Sequence, residues 1–291
     1  MKNKNLALFL IFIAAFLSGG IGAMVKIGLR DIPPFSFTFL RFFIAVIFIL
    51  PFFLKEKNKI KIDGEMIKVS LFLSINVLLY IIGIQWTLVN ISQMLTVSIP
   101  IMVSIISYFL LKERITNKKI IGIVIGLIGS LLLISMRFVT KLDFGKMVLG
   151  NLTVSAGYIF YSFYLVSSKN LQKKYSPVYI TTILNLVVLI VSFFLAMSDL
   201  YFHPNWWIHF SYLSLLSVIY LGLVATTIVF FLLQTAIQLG TPLITSMGLY
   251  LQLFFTFIWS YFLLGEKLTG NFLISGSLIF IGAWLVSYSK D

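Results

Sequence analysis

Long apolar runs follow one another from the first residues to the last, separated by short polar turns. Each run reaches the length, about 18 residues or more, at which a helix crosses roughly 30 Å of hydrocarbon. Lipid supplies no hydrogen bonds, so backbone in such runs must satisfy itself, and helix is the way a single run does so. Ten spans are predicted. They lie near 6–29, 34–54, 66–86, 90–111 and 118–136, then near 147–168, 177–197, 209–233, 242–264 and 269–289. The chain is 60% hydrophobic and 11% charged, whereas an ordinary globular domain carries about 25% charge. MKNKN before the first run imitates a signal peptide, but the run is too long for one and further spans follow, so it is read as a first transmembrane helix. Pro34, Pro177 and Pro242 each open a span, where a missing backbone N–H matters least.

One decad occurs twice. Ser107 to Thr116 reads SYFLLKERIT and Ser260 to Thr269 reads SYFLLGEKLT, with seven of ten positions identical at an offset of 153 residues. At the same offset Gln85 falls on Gln238 and Gly129 on Gly282. The chain therefore reads as two related halves, 1–138 and 147–291. Five spans per half is an odd number, so the second half enters the membrane from the side opposite to the first. The fold class expected is an all-α membrane protein whose ten transmembrane helices form two inverted five-helix repeats. Such repeats give secondary transporters two near-equivalent conformations around a site at the midplane.

Orientation follows from lysine and arginine. With the N-terminus inside, fifteen of them fall on the cytoplasmic side and six on the outer side, with Arg41 inside a span. Both termini are thus expected in the cytoplasm. The net charge of +13 lies in short loops between spans, a position that argues against nucleic acid as partner. Membrane lipid and a small-molecule substrate are the partners expected. There is no cysteine, hence no disulfide or thiol chemistry. His203 and His209 have only Asp199 nearby, so no metal site is expected, and no motif points to a cofactor or an enzyme. Gly122, Gly126 and Gly129 allow another helix to come close, within a monomer or across a homodimer.

Several spans carry one polar stripe each. Ser92, Thr96 and Ser107 share a face of the fourth span, and Thr245, Gln252, Thr256 and Ser260 a face of the ninth. Asn151, Ser155, Tyr158 and Ser162 align in the sixth, Asn76, Tyr80, Gly83 and Thr87 in the third, and Tyr220, Thr227 and Gln234 in the eighth. Polar groups facing lipid are costly, so the stripes turn inward. They serve either as packing contacts between helices or as the wall of a cavity. As cavity residues the reading selects Asn76, Tyr80, Thr96, Ser155, Tyr158, Ser162, Tyr220, Thr227 and Gln252. Arg41 joins them as the one charge clearly inside a span. It can snorkel outward, anchor to backbone carbonyls, or meet an anionic group of the substrate. No Asp or Glu falls within a predicted span, which disfavours proton antiport through a membrane carboxylate. Facilitated exchange, or coupling through the substrate's own protonation, fits better. Pro100 is expected to bend the fourth span in mid-course.

The Glu-Arg/Lys-Ile/Leu-Thr turn closing spans four and nine, the five-plus-five plan and Arg41 in Thr-Phe-Leu-Arg-Phe-Phe together resemble the EamA family of the drug/metabolite transporter superfamily. The resemblance covers essentially the whole chain. It implies a ten-helix permease of the bacterial cytoplasmic membrane that moves amino acids, related metabolites or drugs, often outward. It further implies that spans one, three, four, six, eight and nine surround the cavity while five and ten are peripheral. The chain departs from the family in having Leu253 where a second span proline is common, so the two gates need not move alike. Nucleotide-sugar, riboflavin or lipid-headgroup substrates are a lesser alternative, because phosphate usually needs more than one cation and Arg41 stands alone. A non-transporting scaffold is a further one, though it gives an inverted duplication no purpose.

Overall fold

The computed structural model describes residues 4–56, 63–87, 92–93, 95–113, 115–134, 144–208, 211–264 and 270–288, and every regular element among them is helical. The first part of the chain forms α1 (Lys4–Ser18), α2 (Ile21–Gly28), α3 (Pro34–Leu54) and α4 (Gly64–Trp86). A 3₁₀ turn at Thr96–Ser98 then leads into α5 (Ile99–Leu111), followed by α6 (Asn117–Ile134). The second part forms α7 (Phe144–Leu171), α8 (Pro177–Phe202) and α9 (Tyr212–Tyr220), which passes through a π-helix at Leu221–Ile228 into α10 (Val229–Leu239). It ends with α11 (Pro242–Ser246), α12 (Gly248–Leu264) and α13 (Gly270–Tyr288). Among the described residues, five stretches are long and apolar enough to cross a membrane: Asn5–Gly28, Pro34–Leu54, Gly64–Trp86, Pro177–Phe202 and Tyr212–Leu239. Shorter apolar helices accompany them. Arg114, His209 and the turn with Glu266 and Lys267 lie outside the described residues.

Polarity is arranged inside out. Phe109, Phe194 and Leu152 are 72%, 69% and 63% exposed on the flanks, while Ser70, Thr182, Gln234 and Asn185 are fully buried. That is the arrangement a multi-pass bundle needs when its solvent is lipid. Helices touch where side chains are smallest. A Cβ on Gly122 or Gly282 would meet the other's carbonyl oxygen at 2.8 and 2.6 Å, so α6 and α13 lie backbone to backbone. Gly83 on α4 and Gly150 on α7 do the same, each at 2.8 Å. The glycines of α6 are thus used within the monomer.

The two ends of the bundle differ. At one, Lys174 bridges Asp63 and Glu65, and the Ser176 hydroxyl donates to Glu56 at 2.5 Å. Asp63 also caps α4, accepting from the Met66 N–H at 2.9 Å. The cap and Lys174 hold its pKa below the ordinary carboxylate value. At the other end, Asp31 accepts from the Ser211 N–H and from the hydroxyls of Ser211 and Ser214, joining the α2–α3 turn to α9. Those donors lower the pKa of Asp31 to about 2. Trp206 lies at this end. These are called below the lysine end and the tryptophan end. α5 runs toward the lysine end, where Glu113 faces Lys169. α12 runs the other way, and its Trp259 Nε1 donates to the Phe16 carbonyl at 2.9 Å. The two helices that carry the repeated decad therefore point in opposite directions.

Pro34, Pro177 and Pro242 open α3, α8 and α11 as expected. Two details add to the sequence reading and two correct it. The first span is broken at Gly19–Gly20, where Trp259 and Phe255 press on Gly19 and the Tyr220 hydroxyl presses on Gly20. The ninth is broken at Met247, beside which Gly248 packs against Ile11. Pro100 stands in the first turn of α5, where its lost N–H has no intrahelical partner to forfeit, so it starts this helix and does not bend it. α8 continues to Phe202, which places a buried carboxylate, Asp199, in its last turn.

The end of α5 carries a strained residue. Lys112 has φ 55°, in the left-handed region, and its N–H donates to the Ser107 carbonyl. The second copy of the decad has Gly265 at this position, the residue that helix C-termini favour there. Lys112→Gly is expected to stabilise the protein by up to about 1 kcal/mol, because relief of left-handed strain exceeds the added entropy of the unfolded chain. The melting temperature in detergent checks this, and a fall would mean that the lysine stem contributes more than its backbone strain removes.

Candidate functional site

A cavity of about 120 Å³ lies among the helices. Three amides, Asn76, Gln93 and Gln252, line it together with the phenol rings of Tyr80, Tyr158 and Tyr161. Ser18, Thr38 and Thr96 add hydroxyls, and Phe37 and Phe230 add apolar wall. Arg41 is the one charged residue among the described residues of the lining. A cleft with a mostly apolar wall and a few placed polar groups is the usual form of a small-molecule site.

Several of the polar groups are held by neighbours. Asn76 Nδ2 donates to the Gly157 carbonyl at 3.0 Å, a contact possible because α4 and α7 approach so closely. The Tyr158 hydroxyl donates to the Ser92 carbonyl at 3.1 Å, and its ring lies 6.3 Å from that of Tyr80. The Thr96 hydroxyl, at the start of the 3₁₀ turn, donates to the Gln93 carbonyl just before it at 2.5 Å. Gln252 Nε2 reaches Gln93 Oε1 at 3.4 Å, so α12 and the segment before α5 meet at the cavity.

Arg41 is buried, at 7% exposure, which removes the snorkelling reading. Its Nε donates to the Thr226 hydroxyl at 2.5 Å, and its guanidinium carbon lies 5.4 Å from the Phe42 ring centre. The π-helix puts Thr226 there. Gly222 lets it lie against α3, since a Cβ would meet the Arg41 carbonyl at 2.9 Å. The Thr227 hydroxyl donates back to Gly222 at 2.9 Å and across to Ala45 at 3.3 Å, filling the widened turn. Such turns recur at functional sites.

Of the residues selected from sequence, Arg41, Asn76, Tyr80, Thr96, Tyr158 and Gln252 come together on the wall. The other four stand off it. The Ser162 hydroxyl donates to the Tyr158 carbonyl and that of Tyr220 to the Leu17 carbonyl, while Thr227 braces the π-helix. Ser155 is half-buried on α7, outside the lining. Ser18, Thr38, Gln93 and Tyr161 line the cavity and were not selected. The spans that the resemblance places around the cavity all contribute, and α3 joins them through Phe37, Thr38 and Arg41. α6, α8 and α13 contribute no described lining residue.

Toward the lysine end the space narrows. A crevice of about 20 Å³ shares Ser18, Tyr161 and Gln252 with the main cavity and continues past Ile11, Leu165 and Thr245. Asp199, the buried carboxylate of α8, accepts from the Ser36 N–H at 2.7 Å and so holds the first turn of α3. A shallower hollow of about 280 Å³ at the tryptophan end is lined by Arg30, Gln85, His203 and Trp206, among others. No group of three or more metal-ligating side chains occurs among the described residues.

Known proteins have similar sequences. The model of the EamA-like transporter family matches residues 5–135 and 148–288. An uncharacterized transporter of Archaeoglobus fulgidus is 26% identical over 277 residues, 94% of either chain. The uncharacterized transporter YoaV of Bacillus subtilis is 32% identical over 114 residues, a stretch covering 37% of this chain and 38% of that protein. YetK of the same organism, also an uncharacterized transporter, is 28% identical over 195 residues, 64% of this chain and 58% of its own length. One crystal structure superposes with a TM-score of 0.80 at 20% identity, covering 96% of this chain and 95% of that one, and so has the same fold.

Proposed function

Because the chain belongs to the EamA-like transporter family, we propose that it is a permease for small metabolites, amino acids or related compounds above all, working outward by alternating access. It is a membrane transporter and not an enzyme. The observation that carries the finer reading is a cavity with a mostly apolar and aromatic wall, a few placed polar groups, and Arg41 as the one charge among its described lining residues. In this reading the guanidinium takes the substrate carboxylate, the strongest pairing its planar fork can make. Asn76, Gln252 and Thr96 orient the polar head, and Tyr80 and Tyr158 face the side chain.

Two inverted repeats, 1–138 and 147–291, supply the motion. Supporting this, α3 packs on α8 and α6 on α13, the pairs that a half-turn between the repeats relates. α5 and α12 start near one another at Gln93 and Gln252 and diverge to opposite ends. Ten spans with the lysine end in the cytoplasm of a bacterial inner membrane complete the proposal, and the lysine excess at that end agrees with it. Export of labelled amino acids is to be compared in cells with and without the protein. The expected result is faster export of at least one of them when the protein is present. No difference for any amino acid would sink the substrate reading.

A further inference from the structure

The positive charge of the cavity has no negative counterpart among the described lining residues: none of them is acidic. The described carboxylates are engaged elsewhere: Asp31 with Ser211 and Ser214, Glu56 with Ser176, Asp63 and Glu65 with Lys174, and Asp199 with the Ser36 N–H. Glu113 faces Lys169 at the lysine end. The hydroxyl of Thr226 gives Arg41 a dipole but no charge.

An alternating-access protein must pass through a state sealed from both sides. A cavity of about 120 Å³ holds only a small cluster of waters when sealed. Sealing a lone cation with so little water is strongly unfavourable. Sealing it against a carboxylate pairs the guanidinium in a charge-assisted bond, whatever other group the substrate carries. The same motion is therefore hindered when the cavity is empty and eased when it is loaded.

We infer that the protein is an exchanger: a carboxylate carried one way is followed by an anion carried back, because Arg41 hinders the return of the empty cavity. The inference rests on the permease reading and adds the coupling rule. The returning anion is a second carboxylate or a small ion such as chloride, and the test separates the two.

Proteoliposomes of the full chain, loaded with a mixture of labelled common amino acids, are diluted into sulfate buffer alone, sulfate with unlabelled amino acids, or chloride. Release is expected to be about tenfold faster or more in at least one of the last two media than in sulfate. Acceleration by amino acids alone identifies carboxylate exchange, and acceleration by chloride identifies the small ion as return passenger. Equal release in all three media overturns the exchange and leaves the permease standing. No release in any medium overturns the permease reading, and the exchange with it. Arg41→Gln is expected to release label at one slow rate in every medium, and a variant that keeps the acceleration removes Arg41 from the explanation. If the variant does not fold, the comparison on the unaltered protein decides alone.

Discussion

If the substrate is an amino acid as proposed, replacing Arg41 by glutamine is expected to weaken leucine binding by about 10- to 150-fold, the amount expected when a hydrogen bond to a charged group, worth about 1.5–3 kcal/mol, is lost. The effect belongs at the upper end of that range, because Arg41 is buried and a charged pair is stronger away from water. Three compounds of one shape isolate the cause. Leucine carries both charges, 4-methylpentanoate lacks the ammonium, and isoamylamine lacks the carboxylate. The unaltered protein is expected to bind the first two and to reject the amine, which would bring a second positive charge beside the guanidinium. In Arg41→Gln the preference for the carboxylates collapses. Ligand-induced shifts in melting temperature report all three affinities, since a compound that binds only the folded state stabilises it. Equal binding of amine and acid by the unaltered protein would end the assignment of Arg41 to a carboxylate. Thr226→Val adds a finer test. It keeps the charge but removes the hydroxyl that aims it, so the compounds should keep their order while each binds less tightly.

The elements of this fold were legible where a single physical rule decides them. Apolar runs mark the helices, and the prolines at 34, 177 and 242 mark three starts. The cavity was legible where a stripe of polar residues recurs at helical spacing, as with Asn76 and Tyr80. Residues that break no pattern escaped. Thr38 sits in an aromatic run and uses its hydroxyl on the Pro34 carbonyl, so nothing in its neighbours announces a cavity. Ser18 precedes Gly19–Gly20, a pair whose weak helix-forming tendency was the available signal of a break at the wall. Tyr161 follows Tyr158 at the spacing of one turn and was hidden by its neighbour's stripe. Ser162 and Tyr220 show the opposite failure. They lie on the right stripes but spend their hydroxyls on nearby carbonyls. A stripe tells which face turns inward, not which inward residue meets a void. Asp199 was misplaced for a different reason: α8 runs past the end of its apolar run, where the carboxylate accepts from the Ser36 N–H in the first turn of α3 and can be buried.

Replacing Lys169 by methionine is expected to open the lysine end. The ammonium group donates to the carbonyls of Ile237 and Gly240 at 2.7 and 2.6 Å and lies 3.4 Å from that of Gln238. It thereby satisfies the last carbonyls of α10 and ties α7 to the turn before α11. Just inside, Gln234 Nε2 donates to the Tyr164 hydroxyl at 2.8 Å and its amide oxygen accepts from Gln172, which closes the seam between α7 and α10. Methionine keeps most of the apolar stem and removes the donors. Losing about 2 kcal/mol from the closed state alone shifts the balance toward an open one by roughly 30-fold. The chain has no cysteine, so one placed at Ser246, on the narrow crevice, reports access without background. Its rate of reaction with a charged maleimide added from the lysine side should rise at least about tenfold in Lys169→Met, allowing for partial relaxation of the freed turn. An unchanged rate would mean that the amide pair and the packing of Leu165 hold the seam without the lysine. A cysteine at Arg30, on the hollow at the opposite end, supplies the sign. If the two ends alternate, its reaction from the tryptophan side slows as that of Ser246 quickens, whereas simple loosening of the bundle speeds both.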